Sequence, residues 1–288
     1  GSMLAKQMDA TGVPKTTNIY NTLMTLESRR HRPDRVELLF EELKTKYEAG
    51  DSSLQPSTEA FITRLKAWSR AGNPEMASKV LRELIANAND FGLEYRTEDF
   101  NCVLQAWSRT QRGDAGEKAE SGLHQMMEFS KQNTFDCRPD SSSYNAVILA
   151  HSNTGMETSG ERSFALFKDL KAVAAQQIGE EKWRFEPNFA TYGSLVAAIC
   201  RSSKRLQSSG EDMLWEIFSD IESGLDRSLS TADSDHFVRF NRSNHSLFTK
   251  ITYELEVSSF PNKETLLTEC RRLEDMASSI VELPSSGR

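Results

Sequence analysis

"LKAWSRAGN" (65–73) and "LQAWSRTQR" (104–112) share the word Ala-Trp-Ser-Arg, 39 residues apart in a chain with four tryptophans. A rare residue recurring inside a four-letter word points to an internal repeat. Phe61 and Phe100 each lie seven residues before the tryptophan of that word. Working outward, Tyr20 in "NIYNTLMTLESRR", Tyr144 in "SSYNAVILAHSN" and Tyr192 in "ATYGSLVAAICR" fall at equivalent places, with spacings of 41, 39, 44 and 48. Five degenerate units follow, at 17–57, 58–96, 97–140, 141–188 and 189–233.

Each unit reads as two helices. The first starts near the aromatic anchor, with Thr17, Thr58, Thr97, Ser141 and Thr191 available as caps. The second begins in "RPDRVELLFEEL" with a capping-box spacing from Asp34 to Glu37, and in "NPEMASKVLREL" with Pro74 in the first turn. "DAGEKAESGLHQMM", "SGERSFALFKDL" and "SGEDMLWEIFSDI" supply the others. Apolar residues recur in them at three- and four-residue steps, the period of a helix with one buried stripe.

Helical geometry sorts the first helices into faces. At about 100° per residue, positions three, four and seven beyond the anchor share its side. They hold Leu23, Met24, Glu27; Arg64, Leu65, Trp68; Val103, Leu104, Trp107; Val147, Ile148, His151; and Leu195, Val196, Ile199. The repeated tryptophans are therefore expected in the core, as is His151. Six beyond the anchor stand Leu26, Ala67, Ala106, Ala150 and Ala198, small enough in four cases for a close helix neighbour.

Nine beyond the anchor the chain places Arg29, Arg70, Arg109, Asn153 and Arg201. Nine steps rotate about 180° from the anchor, so this position faces solvent. In stacked hairpins the first helices lie side by side, and four arginines would form a ladder suited to the phosphates of a regularly spaced polyanion. An arginine in a last helical turn also complements the helix dipole, which is the structural alternative.

Composition limits the other possibilities. The chain of 288 residues carries 27% charged residues and a net charge of −7, so any nucleic-acid contact must come from a local stripe, not the overall field. No stretch reaches the roughly 18 apolar residues of a membrane span, and no secretory or transit signal is evident. Gly1 and Ser2 look like residues left by recombinant expression. Cys102, Cys137, Cys200 and Cys270 form no CxxC pair and show no ligand spacing with the five histidines. No metal site, cofactor site, phosphate loop or nucleophile-base pair is expected; the chain reads as a non-enzyme.

"IYNTLM" (19–24), "DFNCVLQAWSR" (99–109), "SYNAVILAHSN" (143–153) and "TYGSLVAAICR" (191–201), with turns such as "LQPS", "CRPD" and "FEPN", resemble the pentatricopeptide repeat family. The resemblance covers roughly residues 3–225, with 3–16 similar to the end of a preceding repeat. It implies an all-α fold, an α-solenoid of helix-turn-helix repeats. It also implies binding of single-stranded RNA in a mitochondrion or plastid, about one base per repeat. The base-reading pairs it implies are Asn21 with Ser57, Ile62 with Arg96, Asn101 with Asp140, and Asn145 with Asn188, while Gly193 begins a fifth. Asn with Asp implies uracil, and the three Asn pairs together lean towards pyrimidines.

The sequence departs from the family at Ile62 and Gly193, which cannot hydrogen-bond a base. It departs also at Asn18, Glu59, Glu98, Ser142 and Ala190, two before each anchor, where the family places an aliphatic residue.

Residues 222–236 read as a polar loop. Residues 234–283 hold two more helices without an anchor in register, a degenerate pair covering the end of the stack. Arg239, Arg242 and Lys250 lie on it, and 284–288 is a tail. RNA processing, stability or translation by occupancy is the function these features favour. A protein-interaction scaffold of tetratricopeptide type, favoured by the acidic charge and by Glu59 and Glu98, is the alternative. The third is an RNA-binding arm of a larger processing enzyme.

Overall fold

A computed structural model of the chain describes residues 15–132, 137–177, 180–230 and 244–281. The secondary structure of these residues is helical, without a strand. In chain order, α1 (Thr17–Arg29) pairs with α2 (Pro33–Glu48), and α3 (Thr58–Arg70) with α4 (Pro74–Ala86) and the short α5 (Ala88–Phe91). Then come α6 (Thr97–Arg109), α7 (Ala115–Gln132), α8 (Ser141–Thr154), α9 (Ser159–Gln176), α10 (Phe189–Arg201), the short α11 (Ser203–Leu206) and α12 (Ser208–Ser230). Helices α13 (Asn244–Val257) and α14 (Lys263–Val281) close the described chain.

The described residues divide into two compact units, one within 1–110 and 118–139 and one within 111–117 and 140–288. In the first, α1 packs on α2 and α3, and α3 on α4 and α6, so first helices lie side by side. In the second, α8 packs on α9 and α10, and α10 on α13, while α12 packs on α14. Both units show the hairpin stacking of an all-α helical-repeat solenoid fold.

The anchors explain the stacking. Tyr20, Phe61, Tyr144 and Tyr192 are buried, and Phe40 meets Phe61 edge to face at 4.9 Å. Phe100 is only half-buried but packs on Phe129, 5.5 Å away. Ala67, Ala106, Ala150 and Ala198 are all buried, and Leu26, the exception to the small-residue rule, lies at the surface. Close approach is tightest at Gly116, where any β-carbon would fall 2.4 Å from Nδ1 of the buried His151.

The caps differ from expectation. The threonines and serine at 17, 58, 97 and 141 are the first helical residues, and the N-caps stand one earlier, at Thr16, Ser57, Arg96 and Asp140. Helix α10 is capped by Asn188, with Thr191 as its capping-box partner. The displaced hydroxyls bond backbone farther along the chain instead: Thr17 donates to the Ser53 carbonyl at 3.1 Å and Thr97 to the Arg138 carbonyl at 2.9 Å. Helix α2 starts at Pro33 without a capping box, because Glu37 is drawn to Arg64.

The loop expected from residue 222 is also corrected. Helix α12 continues to Ser230, because Leu225 extends the buried stripe of Leu214, Ile217, Phe218 and Ile221. Residues 231–243 lie outside the described residues, and with them Arg239 and Arg242, as do 3–14 and the tail 284–288.

The last pair does have an anchor. Phe248 is buried, Ile251 and Leu255 three and seven beyond it are fully buried, and Val257 nine beyond it ends α13. The arginines at this position end α1, α3, α6 and α10 in the same way. Periodicity missed it because Phe248 stands 56 residues after Tyr192, across a long polar insertion.

Candidate nucleic-acid interface

The repeated word resolves residue by residue. Its alanines are buried where first helices meet, and its tryptophans are each 8% exposed. Trp68 packs in the core and its Nε1 donates to Glu37 at 3.0 Å. The position before it on the same stripe is not apolar. Arg64 is fully buried, with both guanidinium edges occupied: Nε and Nη2 donate to the two Glu37 oxygens at 2.6 Å each, and Nη1 donates to Glu83. Its guanidinium also lies 4.3 Å from the Phe40 ring centre. Burial would raise the Glu37 carboxyl, but the bonds from Arg64 and Trp68 outweigh it and hold the group below the usual carboxylate range. The ion pair is thus structural, and it occupies Arg64 completely.

The other half of the word makes a chain of contacts between first helices. In the first unit Arg70 Nη1 donates to Ser28 Oγ at 3.2 Å, and Arg109 Nη1 donates to Ser69 Oγ at 3.2 Å and to its carbonyl at 3.3 Å. In the second, Arg201 Nη1 donates to the Ser152 carbonyl at 2.9 Å. Each arginine reaches the serine one place before the equivalent position of the preceding first helix. Ser28, Ser69 and Ser152 are buried, whereas Arg29, Arg70, Arg109 and Arg201 are exposed. The serine partner was missed from sequence, although the recurring Ser-Arg dipeptide was its signal.

The implied reader positions divide. Asn21 Nδ2 donates to Ser57 Oγ at 3.0 Å and to Glu59 Oε2 at 3.2 Å, while its buried Oδ1 accepts no hydrogen bond among the described residues. Asn145 Nδ2 donates to Asn188 Oδ1 at 3.1 Å. These two pairs are brought together. Ser57, Asp140 and Asn188 are at the same time N-caps, their side-chain oxygens accepting from the backbone of the following turn at Ala60, Ser143 and Ala190. Asn101 is buried in the first unit; Ile62 is half-buried and Arg96 is exposed, its Nη2 donating to Glu94 at 3.2 Å.

Gly193 lies under α13: a β-carbon there would meet Leu247 Cδ1 at 3.3 Å and Lys250 Nζ at 3.7 Å. Arg201 is not a free cation either, since Nη2 donates to the buried Glu254 at 2.7 Å. Asn18, Glu59, Glu98, Ser142 and Ala190 are all exposed.

Among the described residues no group of His, Cys, Asp and Glu is arranged to hold a metal ion, and no helix is long and apolar enough to cross a membrane. The four cysteines are free thiols in the core; burial pushes Cys102 and Cys270 up to about 11. No curated protein matches the chain. Residues 19–47, which span most of the α1–α2 hairpin, match the family model of the PPR repeat, so the chain carries this repeat and is consistent with a PPR family protein.

Proposed function

We propose that the chain binds single-stranded RNA along the exposed faces of its first helices. It would act by occupancy, without chemistry of its own, in RNA processing, stability or translation in a mitochondrion or plastid. The observation that supports this reading most directly is the arginine series. Arg70 and Arg109 are fixed by Ser28 and Ser69 while their guanidiniums remain exposed. A guanidinium held in place loses less conformational entropy on meeting a phosphate. Base choice would come from Asn21 with Ser57, Asn101 with Asp140 and Asn145 with Asn188, favouring pyrimidines. An Asn amide offers both donor and acceptor to a base edge.

The test is binding to pools of single-stranded RNA at low salt, followed by selection on randomised RNA. The reading expects binding with a pyrimidine-rich core, and Asn101→Thr should shift one position of that core towards guanine. Selection without base preference would remove the readout and leave the phosphate contacts. No binding at low salt would reject the reading and favour a protein partner, for which the exposed Glu59 and Glu98 are suited.

A further inference from the structure

Helices α13 and α14 pack on each other, α13 on α10 and α14 on α12. With Phe248 as anchor, the face of α13 opposite the core is set by helical geometry. The positions two before, two after, five after and nine after the anchor are Ser246, Lys250, Tyr253 and Val257, all within about 40° of the direction the arginines take on other first helices. All four are exposed, with Tyr253 at 62% and Val257 at 60%. Helix α13 packs directly on α10, so this face continues the one that carries Arg201.

Charge is redistributed at that junction. Glu254 stands six beyond Phe248, where four preceding first helices have alanine, and it neutralises Arg201. Val257 stands where α1, α3, α6 and α10 end in arginine. The cation lost from these positions returns at Lys250. Its Nζ lies 3.7 Å from where a Gly193 side chain would begin, in the space that a reader residue would occupy. The Lys250 side chain is exposed as a whole, but its tip is partly desolvated there, and burial lowers its pKa. An anionic ligand would offset that. One turn away, Tyr253 presents an uncovered ring.

We infer that Lys250 and Tyr253 form a nucleotide subsite on α13, with Lys250 holding a phosphate and Tyr253 stacking on the adjoining base. The ligand class is a nucleotide of single-stranded RNA, read without regard to base, because every base offers a π-face. This subsite rests on the RNA-binding reading above and extends it by one hairpin. It takes over from the fifth position, where Gly193 offers no side chain and Arg201 is committed to Glu254.

The experiment measures the affinity of short single-stranded RNAs at several salt concentrations for the full chain and for Lys250→Ala, Lys250→Glu, Tyr253→Ala and Tyr253→Phe, with Arg70→Ala as comparator. Both side chains are exposed, so unchanged melting verifies that the variants fold. Lys250→Ala should flatten the salt dependence by about one phosphate contact, and Lys250→Glu should weaken binding further. Tyr253→Ala should weaken binding about tenfold to a hundredfold, and Tyr253→Phe should retain it, as stacking requires. If Arg70→Ala weakens RNA binding while the Lys250 and Tyr253 variants leave it unchanged, the subsite is overturned and the RNA reading stands. If the unaltered chain binds no RNA at low salt, both fall.

Discussion

Arg109 holds Ser69 of the preceding first helix by two hydrogen bonds from one guanidinium nitrogen, 3.2 Å to the hydroxyl and 3.3 Å to the carbonyl. Ser69 lies in the last turn of α3, where carbonyls face out of the helix end and the dipole is negative. The arginine therefore complements the end of its neighbour while its remaining donors stay available at the surface. Arg70 with Ser28 and Arg201 with Ser152 repeat the relationship. In Ser28-Arg29, Ser69-Arg70 and Ser108-Arg109 the two residues stand together, whereas Ser152 is followed by Asn153 and Arg201 is preceded by Cys200.

If that contact couples adjacent hairpins, Ser69→Ala and Arg109→Ala should not be additive. A double-mutant cycle by urea denaturation should give a coupling of about 0.5–1.5 kcal/mol, the range of a single hydrogen bond. Coupling indistinguishable from zero would reduce the contact to a surface coincidence.

Arg64 should be far more costly to remove than the arginines of the exposed face. Arg64→Ala leaves Glu37 and Glu83 without the charge that compensates them, and about 3–5 kcal/mol is expected. Trp68→Ala should fall in a similar range through lost packing. Chemical denaturation of the two variants beside Arg70→Ala checks the order. Equal midpoints for Arg64→Ala and Arg70→Ala would contradict the buried ion pair.

The helical stripes were legible because each depends on spacing within one helix. The sides taken by Trp68, Ala106 and Arg109 follow from rotation per residue alone. Arg64 was legible as core only by position; its chemistry depends on Glu37 and Glu83, which come from other helices that no local period connects to it. Ser69 was hidden for the same reason, as was Glu254. Phe248 escaped because an insertion broke the spacing, and Leu225 because the polar residues around it outweighed its place in the stripe. Four caps stand one residue before the expected ones, since a threonine or serine next to a helix start serves equally well as a cap or as a first helical residue, and the fifth, Asn188, stands three before Thr191.

Acid stability should depend on Glu42. Burial would raise its carboxyl, but bonds from Tyr20 at 2.6 Å, Lys46 at 3.0 Å and Lys15 at 3.2 Å outweigh burial and bring it down to about 2. A carboxylate whose pKa is depressed by folding contributes stability above its unfolded value near 4.5, and that contribution is lost as pH falls towards 2. Thermal melting between pH 5 and 2, an interval set by those two values, should show a shallower loss for Glu42→Gln than for the unaltered chain. Parallel curves would mean that solvent already screens the cluster.

The arginines should differ in what they give to RNA, in an order set by their present partners. Arg70 and Arg109 donate to neutral serines and can add a phosphate without losing a charge partner, so replacing either with Ala should reduce the slope of log affinity against log salt by about 0.7. Arg201 is different. Its bond to Glu254 at 2.7 Å already neutralises it, and a phosphate would have to compete with a carboxylate that is itself buried. Arg201→Ala should therefore leave the salt slope almost unchanged. It should instead lower stability, because the buried Glu254 loses its hydrogen-bonded cation. Affinities must accordingly be taken per folded molecule, with melting followed in parallel. A slope reduced as much by Arg201→Ala as by Arg70→Ala would show that the Glu254 pair opens when RNA binds, and would return Arg201 to the same standing as the others.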